Sequence, residues 1–185
     1  MSNHTVHTIQ TAPEQSKPVL ERLQRTFGLV PNIAGAMAAS PTLINGFIGL
    51  FERVHASSLS EPQIQTLLLT NAVTNRSEWA AAFHTALALQ QGVSRADVDA
   101  IREARLPADV NLAALSALAR TLIDRRGRID RADEKRFIDA GFGAAQILDV
   151  IAVVAASTIT NYTGSVTQPP LEEQFAEYAW QAPTR

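Results

Sequence analysis

The sequence contains no cysteine. That absence excludes disulfides, Cys-ligated zinc, iron–sulfur clusters and any thiolate nucleophile. Charge is scarce too: charged residues make up 18% of the 185 residues, below the usual quarter, and the formal net charge is −2. So small a charge does not steer polyanions. No run of Lys or Arg forms a phosphate-binding stripe, and no nucleic-acid partner is expected. Fewer charges leave more surface suited to burial between subunits. Met1 to Pro18 carries no apolar core of a signal peptide. The most apolar stretch, Ile147 to Ala156, is far short of a membrane span. No His-rich or carboxylate-paired spacing asks for a metal, and neither metal nor cofactor is expected. These absences read as a cytoplasmic protein with no membrane role.

What the chain does have is helix signals. Apolar residues reach 46%, enough for one domain with a real core. Residues 1–17 are polar and unperiodic and read as a flexible N-terminal arm; residues 18–185 read as one helical domain. Gly and Pro cut that domain into helix-length pieces. Pro18 to Phe27 is amphipathic and stops at Gly28. Asn32 is placed to cap a short helix over Ile33 to Ala39, and Ser40-Pro41 opens the next. Ser60-Glu61-Pro62-Gln63 matches a capping box for a helix to Val73. Asn75-Arg76-Ser77-Glu78 opens another to Gln91, with Glu78 expected to reach back to the Asn75 amide. Further helices are expected from Ser94 to before Pro107, from an Asn111 cap to Arg125, over Arg131 to Ala140, over Ala144 to Tyr162, and over Leu171 to Trp180. Val150-Ile151 and Val153-Val154 are β-branched, but they lie in an alanine-rich window too long for a buried strand. The expectation is an all-α single-domain bundle of roughly nine helices.

The segment with chemical potential is Asn75 to His84. Residues three and seven apart share a helix face, so Ser77, Ala80 and His84 form one stripe. Ser77 sits in the first turn, where free N–H groups favour an anion. His84 titrates near neutrality in its ordinary state and is a candidate proton carrier. Plainer roles suit the same residues: Ser77 as a first-turn residue, His84 as a satisfied core group, Trp79 as packing. A Ser–His catalyst would also need an orienting group and an oxyanion hole, and the sequence displays neither. His4, His7 and His55 are isolated along the chain.

With the spacing in view, Asn75 to Gly92 resembles the core motif of the carboxymuconolactone decarboxylase/alkylhydroperoxidase-D-like superfamily. Redox members carry Asn-x-Cys-x-x-Cys-x-x-x-His followed by a glycine. Here the first thiol position is Ser77, the second is Ala80, the histidine is His84 and the glycine is Gly92. Gly28-Leu29-Val30-Pro31-Asn32, Ser40-Pro41 with Leu43, Gly141-Phe142 with Ala145 to Leu148, and Asn161 extend the resemblance over roughly residues 18 to 178. It implies an alkylhydroperoxidase-D-like fold and self-association as a dimer to hexamer. The relay-glutamate position of redox members is Gln65, which does not titrate. Disulfide exchange needs a thiolate, and a serine hydroxyl does not replace one. Thiol peroxidase activity by the family mechanism is therefore excluded.

Three readings follow. In the first, the chain is a non-redox small-molecule pocket protein, with Ala80, Trp79 and Asn161 lining the pocket around His84, Ser77 and Gln65. In the second, it is a cofactor-free decarboxylase or lactone- or keto-acid-processing lyase that uses His84 as proton carrier on a small carboxylic acid or lactone. In the third, it is a structural oligomeric subunit.

Overall fold

Ten consecutive residues, Ile64 to Val73, are buried. A helix enclosed on all sides is the only element that hides such a run while satisfying its own backbone. This is α4, Glu61–Thr74, the centre of the molecule. The computed structural model describes residues 4–183. Around α4 stand α1 (Lys17–Phe27), α2 (Asn32–Met37), α3 (Pro41–His55), α5 (Glu78–Gln90), α6 (Arg95–Arg102), α7 (Val110–Asp124), α8 (Arg131–Asp139) and α9 (Ala144–Thr167). Short 3₁₀ turns lie at Glu14–Ser16 and Glu173–Tyr178, and no strand occurs among the described residues. Among the described residues the fold is all-α, as expected. α4 packs on α5, α6, α7 and α9, and α9 packs in turn on α2, α3, α5 and α7.

Most helix ends follow the local chemistry of the sequence. Gly28 closes α1 at φ 76°. The Ser40 hydroxyl accepts from the Leu43 amide, with Pro41 in the first turn. Gln63 completes the capping box by accepting from the Ser60 N–H at 2.9 Å. Other ends differ from expectation. Asp109, not Asn111, caps α7, accepting from both the Asn111 and Leu112 amides at 2.9 Å. A carboxylate two residues upstream satisfies two orphan donors at once. Pro31, not Asn32, occupies the cap position of α2. α6 ends at Arg102, and the final segment winds as a 3₁₀ turn.

α9 also overshoots its expected end at Tyr162 by continuing to Thr167. Its 24 residues make it long and apolar enough to cross a membrane, by length and composition only. Core helices of soluble proteins pass the same test. Its buried face here includes Ser157, Thr160 and Asn161, polar groups placed against the neighbouring helices. The opposite face exposes Leu148, Ile151, Tyr162 and Val166.

Part of the segment expected as an arm touches the domain at defined points. The His7 N–H donates to the Gly35 carbonyl at 3.0 Å, and the Ser16 hydroxyl donates to the Ala38 carbonyl at 2.8 Å. Gly35 allows this approach: a Cβ there would lie 2.6 Å from the His7 carbonyl oxygen.

Candidate functional site

The chain turns from α4 into α5 within three residues. The Arg76 N–H donates to the Val73 carbonyl and the Ser77 N–H to the Ala72 carbonyl. That is the double bond pattern of a Schellman motif, with Arg76 in the left-handed position at φ 58°. Ser77 thereby ends α4 and begins α5 at once. Its side chain makes no capping bond, and its hydroxyl is buried without a partner. Glu78 does not reach back to Asn75 as expected; its Oε1 accepts from the Ala182 N–H, while the Asn75 backbone N–H donates to the Asn71 carbonyl at 2.9 Å. Ser77 lines a polar cleft of about 580 Å³ with Arg76, Gly164, Ser165 and Gln168. A Cβ on Gly164 would stand 3.3 Å from the Ser77 hydroxyl, so α9 leaves room for it there.

His84 lies elsewhere. It is 4% exposed and its Nδ1 is 3.1 Å from the Gln65 amide oxygen. An amide oxygen only accepts, so Nδ1 carries the proton and Nε2 holds the lone pair. Burial pushes the His84 pKa down from 6.5 to about 3, with repulsion from His55 as the smaller cause. The ring is therefore neutral across the physiological range. It borders a cavity of about 40 Å³, room for one or two waters, walled by α1, α2, α3, α4, α5 and α9. Phe27, Phe47, Phe51 and Met37 form much of the wall, and Ser157 and Thr160 are its hydroxyl groups.

The α5 aromatics close one side. Trp79 stacks on Phe83 at 4.8 Å, and Phe27 and Phe175 meet Phe83 edge-on. Glu172 fixes this end by accepting from the Trp79 indole N–H at 3.0 Å and from the Asn32 amide at 2.5 Å. Gln65 and His84 are thus brought together. Ser77 lines a different cavity from His84, with Trp79 bordering both. Ala80 is fully buried in the core. Asn161 is fully buried and donates to the Ser157 hydroxyl at 3.3 Å. The α9 residues that border the His84 cavity are Ser157 and Thr160.

Sequence reading missed one pair. His55 Nδ1 lies 2.8 and 3.0 Å from the two carboxylate oxygens of Glu61. His55 ends α3 and Glu61 begins α4, so the two helix dipoles favour this imidazole–carboxylate pairing. Histidine at one helix end and glutamate at the next helix start was the available signal. The pair borders a cleft of about 450 Å³ that also reaches Gln65. Leu23, Phe27, Ile48 and Phe51 belong to both this cleft and the His84 cavity, so one wall divides them. Among the described residues, no group of three or more His, Asp or Glu side chains is placed to hold a metal.

Residues 41–122 match the family model for the carboxymuconolactone decarboxylase family. No curated protein sequence matches the chain. Among solved structures, the chain is similar to an uncharacterised peroxidase-related protein with an alkylhydroperoxidase AhpD core from Ralstonia eutropha JMP134, at 15% identity and TM-score 0.83 over 94% of each chain. An uncharacterised peroxidase-related protein from Silicibacter sp. TM1040 is similar at 19% identity and TM-score 0.76, over 94% of this chain and 92% of that one. A variant of the debrominase Bmp8 in complex with 2,3,4-tribromopyrrole is similar at 18% identity and TM-score 0.78, over 96% and 97%. At these identities the likeness is one of fold.

Proposed function

From the match of residues 41–122 to the carboxymuconolactone decarboxylase family model and the absence of cysteine, we propose that the chain is a divergent member of the carboxymuconolactone decarboxylase/alkylhydroperoxidase-D-like superfamily and a non-redox small-molecule pocket protein. Its pocket is the His84 cavity together with the cleft behind Leu23, Phe27, Ile48 and Phe51. The observation that carries this reading is His84 itself, neutral, bonded to Gln65 and enclosed by aromatic rings. A base whose conjugate acid has a pKa of about 3 takes up protons weakly at neutral pH. The same ring is well suited to orient a ligand with one polar group. A predominantly apolar wall with few polar groups is the usual make-up of a ligand site. The cavity of about 40 Å³ is too small for more than water, so a ligand occupies it by displacing the shared wall into the cleft. The structure of the debrominase Bmp8 variant, with its bound tribromopyrrole, supports a compact ring as the class of ligand.

Calorimetry and thermal shift with a panel of small rings test this. Saturable binding that Leu23→Trp abolishes, in a variant that keeps its helical spectrum, is the expected result. A panel without any binding overturns it. A second reading, a cofactor-free lyase acting on a small carboxylic acid or lactone, draws on the unpartnered Ser77 hydroxyl beside Arg76 at the start of α5. Turnover of such acids that Ser77→Ala removes would favour it. We further propose self-association through the exposed α9 stripe and residence in the cytoplasm.

A further inference from the structure

A buried polar atom without a partner calls for an explanation. His55 Nε2 is such an atom: it is shielded from solvent and has no hydrogen-bond partner, although the ring itself is held on its other side by Glu61. The carboxylate only accepts, so Nδ1 is protonated toward Glu61 and Nε2 is the ring nitrogen left without a partner. The ring is also fixed edge-on to Phe51 at a centroid distance of 4.5 Å. An oriented histidine with a carboxylate behind it and a free nitrogen in front has the form of a proton acceptor. Helix ends add to this. His55 is the last residue of α3, where the dipole favours a cation, and Glu61 is the first of α4, where it favours an anion.

The surroundings define what such an acceptor meets. Leu23, Phe27, Ile48 and Phe51 give the cleft an apolar floor suited to a flat ring. The charged groups around it are Arg22 and Glu52, which pair with each other across the mouth, and Glu61. Arg22 and Glu52 are each about half exposed in their side chains, and such pairs contribute little and open readily. Arg22, Gln90 and Gln91 are long side chains that also line the cleft, and binding at the shielded Nε2 requires side chains of this kind to move aside.

We propose that His55, oriented by Glu61, is the recognition group of the pocket and binds an aromatic ring bearing one weakly acidic O–H or N–H group, taking up its proton. The step is balanced within the complex: the ligand O–H or N–H bond breaks, an Nε2–H bond forms, and the ligand anion stays paired with the imidazolium, whose other N–H faces Glu61. No oxidant or co-reactant enters. This rests on the pocket reading above and gives that pocket a ligand class and a residue.

The probe is 4-nitrophenol, whose anion absorbs at longer wavelength than its neutral form. It is titrated into the full-length protein at a pH below its own pKa, with binding followed separately by calorimetry. The wild type is expected to bind it and to raise the phenolate band. His55→Gln should lose the band and weaken binding by about tenfold or more, the worth of a charge-assisted hydrogen bond. Glu61→Gln, which keeps a hydrogen-bond partner for Nδ1 but removes the charge, should bind with a reduced band. Binding without a phenolate band, or a band that persists in His55→Gln, overturns the role of His55 while leaving the pocket standing. No binding of 4-nitrophenol or of any other ring overturns both.

Discussion

Replacing His84 by Gln should remove a specific acid sensitivity of the fold. In the unfolded chain the imidazole binds a proton as the pH falls through 6.5, whereas in the folded protein it stays neutral until about pH 3. Between those values the unfolded state holds the extra proton, so stability falls as the pH falls. Each unit of separation is worth about 1.4 kcal/mol, so this residue costs the wild type about 2 kcal/mol at pH 5 and about 4 kcal/mol at pH 3, relative to neutral pH. Other carboxylates add their own dependence, but they are common to both proteins and cancel in the difference. The assay is urea unfolding at pH 7.5 and pH 5, followed by the fluorescence of Trp79 and Trp180. His84→Gln loses the Nδ1 bond and some packing, so it is expected to be less stable at pH 7.5. The gap should then narrow by about 2 kcal/mol at pH 5. A gap independent of pH would refute the neutral, sealed state of His84.

Other expectations are simpler to check. The wild type should not reduce organic hydroperoxides with dithiothreitol as donor beyond the protein-free rate, since neither Ser77 nor Ala80 supplies a thiol; thiol-dependent turnover by pure protein would contradict this. Ile151→Glu on the exposed α9 stripe should shift sedimentation towards the 20.0 kDa monomer, and a wild type already monomeric at micromolar concentration would exclude that interface. Gly35→Ala should push residues 6 and 7 off α2, since its Cβ would meet the His7 carbonyl and the Val6 side chain. The expected cost is about 1–3 kcal/mol with faster proteolysis of the N-terminal segment, and unchanged proteolysis and stability would count against it.

The helices were legible because their signals are local. Gly28, Ser40-Pro41 and the Ser60/Gln63 box each act within one turn of the residues they cap. The cap of α7 was misread as Asn111 because Asp109, two residues earlier, is an equally good capping residue type and only the backbone conformation decides between them. The site was legible in part. The motif pointed to the His84–Gln65 bond, which joins adjacent antiparallel helices. It did not reveal that Ser77, on the same helical stripe, opens into a different cavity, because which side of Trp79 each residue faces depends on packing and not on helical spacing. His55–Glu61 escaped notice because histidine spacing along the chain says nothing about which helix ends meet.

The most direct measurement is the electron density of a crystal soaked with 4-nitrophenol. Density for the ring between Phe27, Phe51 and His55, extending toward His84, is the predicted result. Density confined to the cleft beside Arg76 and Ser77, with the aromatic pocket unchanged, would contradict it and return the α5 start to the centre of the chemistry.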